Sequence, residues 1–453
     1  MLQKLGMRHF KSWKVIDDMA IAPITGLFGT NSSGKSSILQ LLLLLKQTVE
    51  SSDRAQVLEF GDENSLANLG SFKESVYDHD GDNPLQFDFE WTLSKSLLAK
   101  DPVSKGRAIL STDRIAFNCV LGEHGTERLA VSEACYRVAE ETFCLRRKDD
   151  KKVKYELTSA GSHRFVRTQG RPWDLPAPVK FYGFPDQVYA YYQNAGFLSD
   201  LQLELEGFFN RVFYLGPLRE FPQRLYTWKG SEPADMGRRG ERVVDAILAA
   251  RDRGRTISPG YKKRRVSVEE RVAFWLKQLG LIHAFSVDPV AKESGVYQVR
   301  VQKSASSAKV MLTDVGFGVS QILPVLVLCY YVPEGSTILL EQPEIHLHPS
   351  VQSGLADVFL DVAKNRNVQV IVESHSEHLL RRLQLRIAEG KEQPERVALY
   401  FCEPGDGGSQ LTPLDVDLYG NITNWPKDFF GDEFGEMAAM VEAAMERKKE
   451  QRA

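Results

Sequence analysis

The sequence predicts an α/β protein whose core is a mixed, largely parallel sheet with flanking helices, interrupted by an antiparallel β-subdomain and a helical insertion. Three observations support this prediction. A phosphate-binding loop lies between a strand and a helix near the start of the chain. Two near-continuous apolar strands, "STILLE" and "VQVIVE", follow roughly 300 residues later, as is typical of a parallel sheet covered on both faces. Between the loop and these two strands, residues 85–157 alternate polar and apolar side chains, as is typical of antiparallel strands with one exposed face.

Length, composition and charge restrict the domain count and the kinds of binding site that this sequence can form. The chain has 453 residues and is 43% hydrophobic, which suffices for one large domain with insertions or for two to three smaller ones. Its 57 basic and 60 acidic side chains leave a net charge of −3, so any site for a polyanion must be local. Neither a signal peptide nor an apolar run of membrane-spanning length is present, and we expect a cytoplasmic protein.

The five cysteines predict reduced, mostly packed thiols. Their scattered spacing contains no CxxC pair, which fits neither a disulfide framework nor a zinc cluster. They are Cys119, Cys135, Cys144, Cys329 and Cys402.

The phosphate-binding loop is carried by residues 24–37, "ITGLFGTNSSGKSS", which have the G-x-x-x-x-G-K-[ST] spacing. An apolar run precedes the loop and a strong helix former follows it, so a chance glycine-rich turn is the weaker explanation. The glycines let backbone N–H groups face a β-phosphate, the lysine neutralises the β- and γ-oxygens, and the serine after it ligates magnesium. The predicted cofactors are therefore ATP and Mg²⁺. The predicted nucleotide-binding residues are Gly29, Asn31, Ser33, Gly34, Lys35, Ser36 and Ser37.

The second half of the site is expected at the ends of the two late strands. One strand ends at Glu341, and the other ends near Ser374 and His375. Upstream of both, "LTDVGFGVSQILPVLVL" places a glycine-rich turn before a long apolar helix. A large insertion therefore splits the site.

These motifs resemble the ABC-class ATPases of the SMC and "overcoming lysogenization defect" type. In order, the chain has an opening "HFKSWKV" strand, the phosphate-binding loop, an insertion, a signature-like "DVGFGVSQ", a Walker B segment "ILLEQPE" and a switch histidine in "ESHS". The resemblance implies an ABC-type P-loop ATPase head that dimerises around nucleotide. It implies that Glu341 takes the magnesium-linked position beside Ser36, and Gln342 the position of the catalytic glutamate. His348 then takes the D-loop position and His375 the γ-phosphate-sensing position. The residues that touch nucleotide across the dimer stay open among Gly316, Gly318 and Ser320.

A narrower resemblance rests on "YLGPLREFPQRLY", "EQPEIHLHPSVQ", "ESHSEHLLRRLQLRIAEG" and "GNITNWPKDFF". These segments look like a bacterial AAA-type ATPase family with a C-terminal module ending in WP-x-x-FF. Relatives include ATPases of antiphage systems such as Septu, in which the ATPase accompanies a separate nuclease. The resemblance implies a homodimer or higher homo-oligomer and an effector protein, a nuclease or toxin, from the same operon. It implies no membrane partner.

An amide at the position of the catalytic base predicts slow hydrolysis. Gln342 can orient a water molecule but cannot accept its proton, and losing a general base typically costs about 10²–10⁴-fold in rate. Glu344, just past a proline, could take over the role if the turn brings it inward. The predicted catalytic set is Gln342, Glu344 and His375.

The remaining pattern divides the chain into five predicted segments. Helices are expected over 197–210, 241–250 and 268–280. Because no heptad repeat is sustained, we expect no long coiled coil. The segments are 1–60 (core with Walker A), 61–195 (β-rich subdomain), 196–300 (helical insertion with a basic loop), 301–400 (core with signature, Walker B and switch histidine) and 401–453 (C-terminal module and tail).

Two groups of basic residues have open interpretations. The segment "RDRGRTISPGYKKRR" (251–265) is either a solvated loop or a grip on the phosphate backbone of DNA or RNA. Arg219 follows a predicted strand, where it could reach phosphate, an interface carboxylate or Glu220. The candidate nucleic-acid contacts are Lys262, Lys263, Arg264 and Arg265.

Two candidate metal clusters are the weaker interpretations of their residues. His346, His348, His375 and His378 lie close in sequence, but the ABC resemblance already explains two of them. Asp415 and Asp417 form a DxD pair, which we expect to lie on a packed lid rather than in a nuclease site. The aromatic residues of the lid are Trp425, Phe429 and Phe430, and a short charged helix closes the chain.

Three functions therefore compete. The first is a nucleotide-switched regulator that controls a partner effector. The second is a metal-dependent nuclease, and the third is a DNA-binding ATPase of repair type.

Overall fold

A computed structural model describes residues 1–100, 108–124, 127–149, 153–172, 174–292, 294–426, 439–445 and 447. Within these ranges, no helix combines the length and apolar character needed to cross a membrane. Phe429 and Phe430 lie outside the described residues, as does half of the predicted closing helix.

The strands of the described chain are β1 (Leu2–Phe10), β2 (Trp13–Ala20), β3 (Ile24–Gly29), β4 (Leu85–Lys100), β5 (Ala108–His124), β6 (Glu127–Val138), β7 (Glu141–Asp149), β8 (Lys154–Ala160), β9 (Val212–Leu215), β10 (Tyr226–Thr227), β11 (Thr256–Ile257), β12 (Val266–Ser267), β13 (Ala284–Pro289), β14 (Val296–Gln302), β15 (Val310–Met311), β16 (Thr337–Glu341), β17 (Gln369–Glu373), β18 (Val397–Gly405) and β19 (Gly408–Pro413).

The α-helices are α1 (Lys35–Glu50), α2 (Phe72–Ser75), α3 (Asp186–Tyr191), α4 (Leu198–Phe209), α5 (Val243–Asp252), α6 (Val268–Gln278), α7 (Phe317–Tyr331), α8 (Pro349–Asn365) and α9 (Glu377–Ala388).

The central sheet brings together strands that are far apart in sequence. Its order is β19-β18-β3-β17-β16-β9, and all neighbours are parallel except the edge pair β18 and β19. Because parallel strands end at the same edge of a sheet, the end of β3, where the phosphate-binding loop starts, lies beside the ends of β17 and β16. The insertion between β3 and β16 thus leaves the two halves of the predicted site adjacent.

Both faces of this sheet are covered, which explains the continuous apolar character of β16 and β17. Leu339 and Ile371 point to the core that contains α1 and the first antiparallel strands. Their neighbours Leu340 and Val372 point to the opposite core, which contains α7, α8 and α9. Side chains that alternate between two buried faces are apolar at every position.

The predicted antiparallel β-subdomain is present as a seven-stranded sheet of order β2-β1-β4-β5-β6-β7-β8. Strands β1 and β2 come from the first segment of the chain and extend this sheet, so the subdomain is continuous with the core. Phe89 and Trp91 of β4 pack against Phe208 of α4, with ring centroids 6.1 Å and 5.7 Å apart respectively. This contact joins the sheet to the start of the insertion.

The insertion contains the three predicted helices, which are α4, α5 and α6. It also contributes to an antiparallel sheet, β10-β14-β13 with β15 added to β14, which the alternation of residues did not predict. Among the described residues the longest helix is α8 with 17 residues, so the predicted absence of a long coiled coil is confirmed there. The division into five segments stays a prediction.

The expectation that all cysteines are reduced is wrong for one pair. Cys135 and Cys144 form a disulfide, with Cα atoms 4.1 Å apart. They lie directly opposite each other in the β6–β7 register, and only this pairing brings them together. The other three cysteines are buried free thiols.

Candidate nucleotide-binding site

The phosphate-binding loop links β3 to α1 and needs glycine at two positions. Gly29 has φ 136° and Gly34 has φ 86°. A Cβ atom at Gly29 would lie 1.9 Å from the carbonyl oxygen of Cys402 on the neighbouring strand β18. From β2, the indole Nε1 of Trp13 donates to the carbonyl oxygen of Gly34 at 2.9 Å. The loop is therefore held by both sheets.

Lys35 places its charge inside this loop. Its Nζ donates to the carbonyl oxygens of Gly29 (3.1 Å) and Thr30 (2.6 Å) and approaches Ser33 Oγ at 3.3 Å. Burial lowers the pKa of the lysine, and the nearby carboxylate of Glu373 opposes this shift. A triphosphate that entered the loop would meet a desolvated ammonium group, where electrostatic attraction is stronger than in water.

Ser36 meets a carboxylate that the sequence interpretation missed. Its Oγ donates to Glu373 Oε1 at 2.9 Å, while Glu373 Oε2 is buried with no hydrogen-bond partner. Burial raises the pKa of this carboxyl. The available signal was an acidic residue that ends a buried strand just before the switch histidine. A serine hydroxyl and a carboxylate with a spare oxygen are hard oxygen donors, so these residues fit a magnesium ion.

Glu341, the residue predicted to lie beside Ser36, is one strand further from the loop. It is the register partner of Glu373 across β16 and β17. Its Oε1 accepts a hydrogen bond from the Tyr214 hydroxyl of β9 at 3.0 Å, on the side away from β3. Burial, followed by the charge of Glu373, raises the pKa of Glu341 to about 7.

Gln342 has a backbone conformation that is uncommon for a residue with a side chain. Its φ is 42°, and its N–H donates to the carbonyl oxygen of Glu373 at 2.8 Å. The bend turns the chain out of β16 at the point where the amide side chain reaches the cleft. Left-handed backbone costs free energy and is often retained at functional sites.

His375 and Glu344 form a linked pair behind Gln342. The backbone N–H of His375 donates to Glu344 Oε1 at 2.7 Å, and Glu344 Oε2 is buried without a hydrogen bond. Burial, with a smaller effect of Lys35, lowers the pKa of the His375 imidazole, which favours its neutral form. Glu344 is not among the residues that line the cleft. Its hydrogen bond with the His375 backbone therefore positions His375 and does not bring the Glu344 carboxylate into the cleft.

An open cleft of about 380 Å³ lies over these groups, in the size range of small-molecule sites. It gathers residues from both halves of the chain. Its lining consists of Lys11, Ser12, Asn31, Ser32, Ser33, Gly34, Lys35, Ser36, Ser37, Gln40, Gln342, Glu373 and His375.

The signature and D-loop candidates lie outside this lining. Gly316 precedes α7 and is exposed. Gly318 follows in the first turn, whereas the Ser320 hydroxyl is buried and donates to the Phe317 carbonyl oxygen at 2.7 Å. His348 caps α8, because its Nδ1 accepts from the Ser350 N–H at 3.3 Å.

The basic segment is partly neutralised by acidic neighbours. Arg251 pairs with Glu269, whereas Arg253 and Arg255 both pair with Glu232. Of the four candidate nucleic-acid contacts, Arg265 donates to the carbonyl oxygen of Thr256. All four are exposed, and Lys262, Lys263 and Arg264 have no acidic partner within ion-pair distance in the described part of the chain.

Arg219 is buried, and its Nε and Nη1 have no hydrogen-bond partner. Glu220, the partner considered for it, pairs with Arg239 instead, at 3.5 Å. Burial lowers the pKa of Arg219 to about 10, while Tyr214, Glu341 and Glu344 oppose the shift. The arginine therefore faces the acidic strand ends from outside ion-pair distance.

The two candidate metal clusters do not assemble. Asp417 accepts hydrogen bonds from the N–H groups of Tyr419 and Asn421, both at 2.8 Å, and so stabilises a turn. Within the described ranges, the histidines at 346, 348, 375 and 378 form no metal-ligating group.

Two segments of the chain match known protein families. Residues 267–380 match the family described as AAA ATPase domain, and residues 393–440 match a family described as a protein of unknown function, DUF3696. The chain matches no curated protein.

Three solved structures that align with the chain are SMC head domains. The SMC head bound to the C-terminal winged-helix domain of ScpA has a TM-score of 0.45 and 11% identity, over 92% of this chain and 98% of that chain. The SMC head domain from Thermotoga maritima has a TM-score of 0.41 and 12% identity, over 92% of this chain and 99% of that chain. The Smc head with an extended coiled coil, bound to the C-terminal domain of ScpA from Pyrococcus furiosus, has a TM-score of 0.42 and 9% identity, over 100% of this chain and 99% of that chain. At these TM-scores the alignments carry no argument, and the strand order and the phosphate-binding loop by themselves describe an α/β P-loop fold in which residues 267–380 match the AAA ATPase domain family.

Proposed function

We propose that this protein binds ATP with magnesium in the cleft and hydrolyses it slowly, as a nucleotide-controlled switch. One observation carries the proposal. The loop at 31–37 lines the same cleft as Gln342, Glu373 and His375, although more than three hundred residues separate the two groups. Strand pairing brings a lysine, a serine hydroxyl, a carboxylate, an amide and an imidazole around one cleft. These groups can position a triphosphate, stabilise its charge and orient a water molecule, which are the tasks of phosphoryl transfer.

Each group has a role that follows from its position. The N–H groups of the loop and the start of α1 face the phosphates, and Lys35 exchanges its contacts with Gly29 and Thr30 for phosphate oxygens. Asn31 and Ser33 complete the lining of the loop. When bound, magnesium neutralises negative charge on the β- and γ-phosphates. Ser36 and the acidic ends of β16 and β17 are the proposed magnesium-linked groups, with Glu341 one strand further from Ser36 than Glu373.

Gln342 orients the attacking water without removing its proton. Its amide reaches the cleft, whereas the nearest substitute base, Glu344, is tied to the backbone of His375 and does not line the cleft. His375, with a depressed pKa, is a neutral hydrogen-bonding group for the γ-phosphate. Slow hydrolysis follows because no carboxylate lies at the water-activating position.

Single-turnover hydrolysis tests this proposal. We expect Gln342→Glu to accelerate hydrolysis by at least about 10-fold, since a general base typically contributes 10²–10⁴-fold. Gln278→Glu, which makes the same change on the exposed end of α6, should hydrolyse ATP at the wild-type rate. An unchanged rate in Gln342→Glu, with ATP binding intact, would show that the amide does not limit turnover.

We further propose that the ATP-bound form is a homodimer that regulates a cytoplasmic partner effector, in a role like that of antiphage ATPases. The motif resemblance and the separate match of residues 393–440 to a family of unknown function support a dedicated module beside the ATPase core. Gly316 and Gly318, at the start of α7, are the proposed contacts to the nucleotide of the second protomer. The buried hydroxyl of Ser320 makes it the weaker candidate among the three.

A DNA-binding ATPase is the second candidate. The exposed charges of Lys262, Lys263 and Arg264 favour it, because three cations on one loop offer contacts to a phosphate backbone. The nuclease alternative loses support, since Asp417 is used within its own turn. Salt-dependent DNA binding with stimulated hydrolysis and no cleavage would identify the second candidate.

A further inference from the structure

We propose that Glu373, at the end of β17, is the protein carboxylate that contacts the magnesium ion at Ser36, and that Glu341 acts from behind it. This inference rests on the proposed function, because it names the residue that completes the ATP site. It differs from the assignment that the Walker B motif implies, in which the acidic residue at the end of β16 stands beside the serine.

The distance between the two oxygens supports the assignment. Octahedral magnesium binds oxygen at about 2.0–2.1 Å, so neighbouring oxygen ligands lie about 2.9 Å apart. Ser36 Oγ and Glu373 Oε1 are 2.9 Å apart. The two atoms can thus become adjacent ligands of one ion with little movement of either side chain.

The strand order places Glu373 nearer to the loop than Glu341. β17 lies directly beside β3, and β16 is the next strand out. Neighbouring strands are about 4.8 Å apart, so the backbone of Glu341 is about twice as far from β3 as that of Glu373. Glu373 lines the cleft, whereas Glu341 does not and has an oxygen engaged by Tyr214.

The second oxygen of Glu373 is available as a ligand for a cation. Glu373 is 3% exposed, and its Oε2 has no hydrogen-bond partner. A buried carboxylate oxygen without a partner is costly, and a metal ion is one of the few groups that satisfy it. The nearby ammonium of Lys35 is occupied by the loop carbonyls, so it does not fill this role.

Nucleotide affinity measured with and without magnesium tests the assignment. The probe is a fluorescent ADP analogue titrated into the full chain, either in excess Mg²⁺ or in EDTA. We expect wild type to bind more tightly with Mg²⁺, and Glu373→Gln to lose at least 10-fold of that enhancement while its affinity in EDTA is unchanged or higher. Glu341→Gln, the matched control one strand further out, should lose less of the enhancement.

A second measurement does not depend on the size of the affinity change. Mn²⁺ held with ADP and the protein gives an EPR spectrum that responds to its ligands. Glu373→Asp, which keeps the charge on a shorter side chain, should weaken Mn²⁺ binding less than Glu373→Gln does, and thermal unfolding of each variant confirms that it is folded.

The outcomes separate the two levels of the proposal. If Glu373→Gln keeps the full magnesium enhancement and Glu341→Gln loses it, the assignment of Glu373 is wrong and the ATP site stands. If folded wild type binds no nucleotide in either buffer, the proposed function itself is overturned, and the assignment fails with it.

Discussion

Three glutamates lie at or just past the ends of β16 and β17, near the cations of Lys35 and Arg219: Glu344 and Glu373 are buried, and Glu341 is half-buried. Burial raises the pKa of each glutamate, because a carboxylate loses hydration inside the protein. Neither Lys35 nor Arg219 forms an ion pair within 4 Å with these glutamates. Lys35 instead donates hydrogen bonds to carbonyl oxygens of the loop. Such an arrangement costs stability and is expected where a bound cation and phosphates restore the balance.

We expect Glu341→Gln to be more stable than wild type near pH 8, and the difference to shrink toward pH 4.5, in nucleotide-free buffer with EDTA. Burial and the charge of Glu373 raise the pKa of Glu341 from 4.5 to about 7. The folded state therefore binds the proton more tightly than the unfolded chain. The stability contributed by this carboxyl is fully present below pH 4.5 and is lost as pH rises through 7. Such a shift corresponds to about 3 kcal/mol at most.

Denaturant unfolding of both proteins across this pH range measures the difference. The amide removes the charge and keeps an oxygen for the Tyr214 hydroxyl. Glu395→Gln, at an exposed position, serves as the control and should follow wild type throughout. A stability difference that did not vary with pH would contradict the raised pKa.

At the scale of elements, strand β2 positions the phosphate-binding loop. Trp13 is fully buried, and its indole N–H holds the carbonyl oxygen of Gly34 at the start of α1. Ser12 beside it accepts from the N–H of Ser409 on β19 at 2.8 Å. The antiparallel sheet and the edge of the central sheet thus meet at the loop, and both contribute to its shape.

Trp13→Phe should weaken nucleotide binding about 3–10-fold and lower the free energy of unfolding by about 1–3 kcal/mol, from a lost hydrogen bond and a smaller ring. Trp91→Phe is the matched control. Trp91 is equally buried in the same sheet, but its Nε1 has no hydrogen-bond partner. It should lose stability without losing affinity. Isothermal titration with ADP and thermal melts measure the two effects, and equal loss of affinity in both variants would remove the special role of Trp13.

At the scale of the molecule, an exposed apolar surface surrounds the start of α7. Leu218 is 70% exposed, Phe221 66% and Phe317 41%. The rings of Phe221 and Phe317 lie 5.8 Å apart, and Phe317 packs edge-on against His346 at 5.3 Å. Clustered exposed aromatic residues beside the proposed signature glycines are typical of a protein interface.

We expect Phe221→Ser to weaken the proposed ATP-dependent dimerisation by at least about 10-fold, because an aromatic residue within an interface commonly contributes more than 1 kcal/mol. Light scattering during gel filtration, with a slowly hydrolysed ATP analogue and Mg²⁺, measures the dimer fraction. Leu203→Ser changes an equally exposed side chain on α4 and should leave that fraction unchanged. Dimerisation that is insensitive to Phe221→Ser would place the interface elsewhere.

Much of the site was predictable from short segments of sequence. The loop that carries Lys35 and Ser36 has the residue spacing of a P-loop, and its flanking strand and helix follow from local periodicity. Gln342 and His375 were assigned from the resemblance of "ILLEQPE" and "ESHS" to motifs of ABC-class ATPases. The antiparallel subdomain and the helices of the insertion followed from alternation and from helical patterns of similar length.

The sequence by itself thus determined the fold class, the phosphate-binding loop and the identity of most groups in the cleft, because these depend on local backbone chemistry. Only the tertiary structure decided that Glu373 rather than Glu341 meets Ser36, since this depends on β17 pairing between β3 and β16. The disulfide of Cys135 and Cys144 has the same origin in strand register. Contacts between distant segments are set by strand pairing and by packing against both faces of the sheet, which no local pattern of residues specifies.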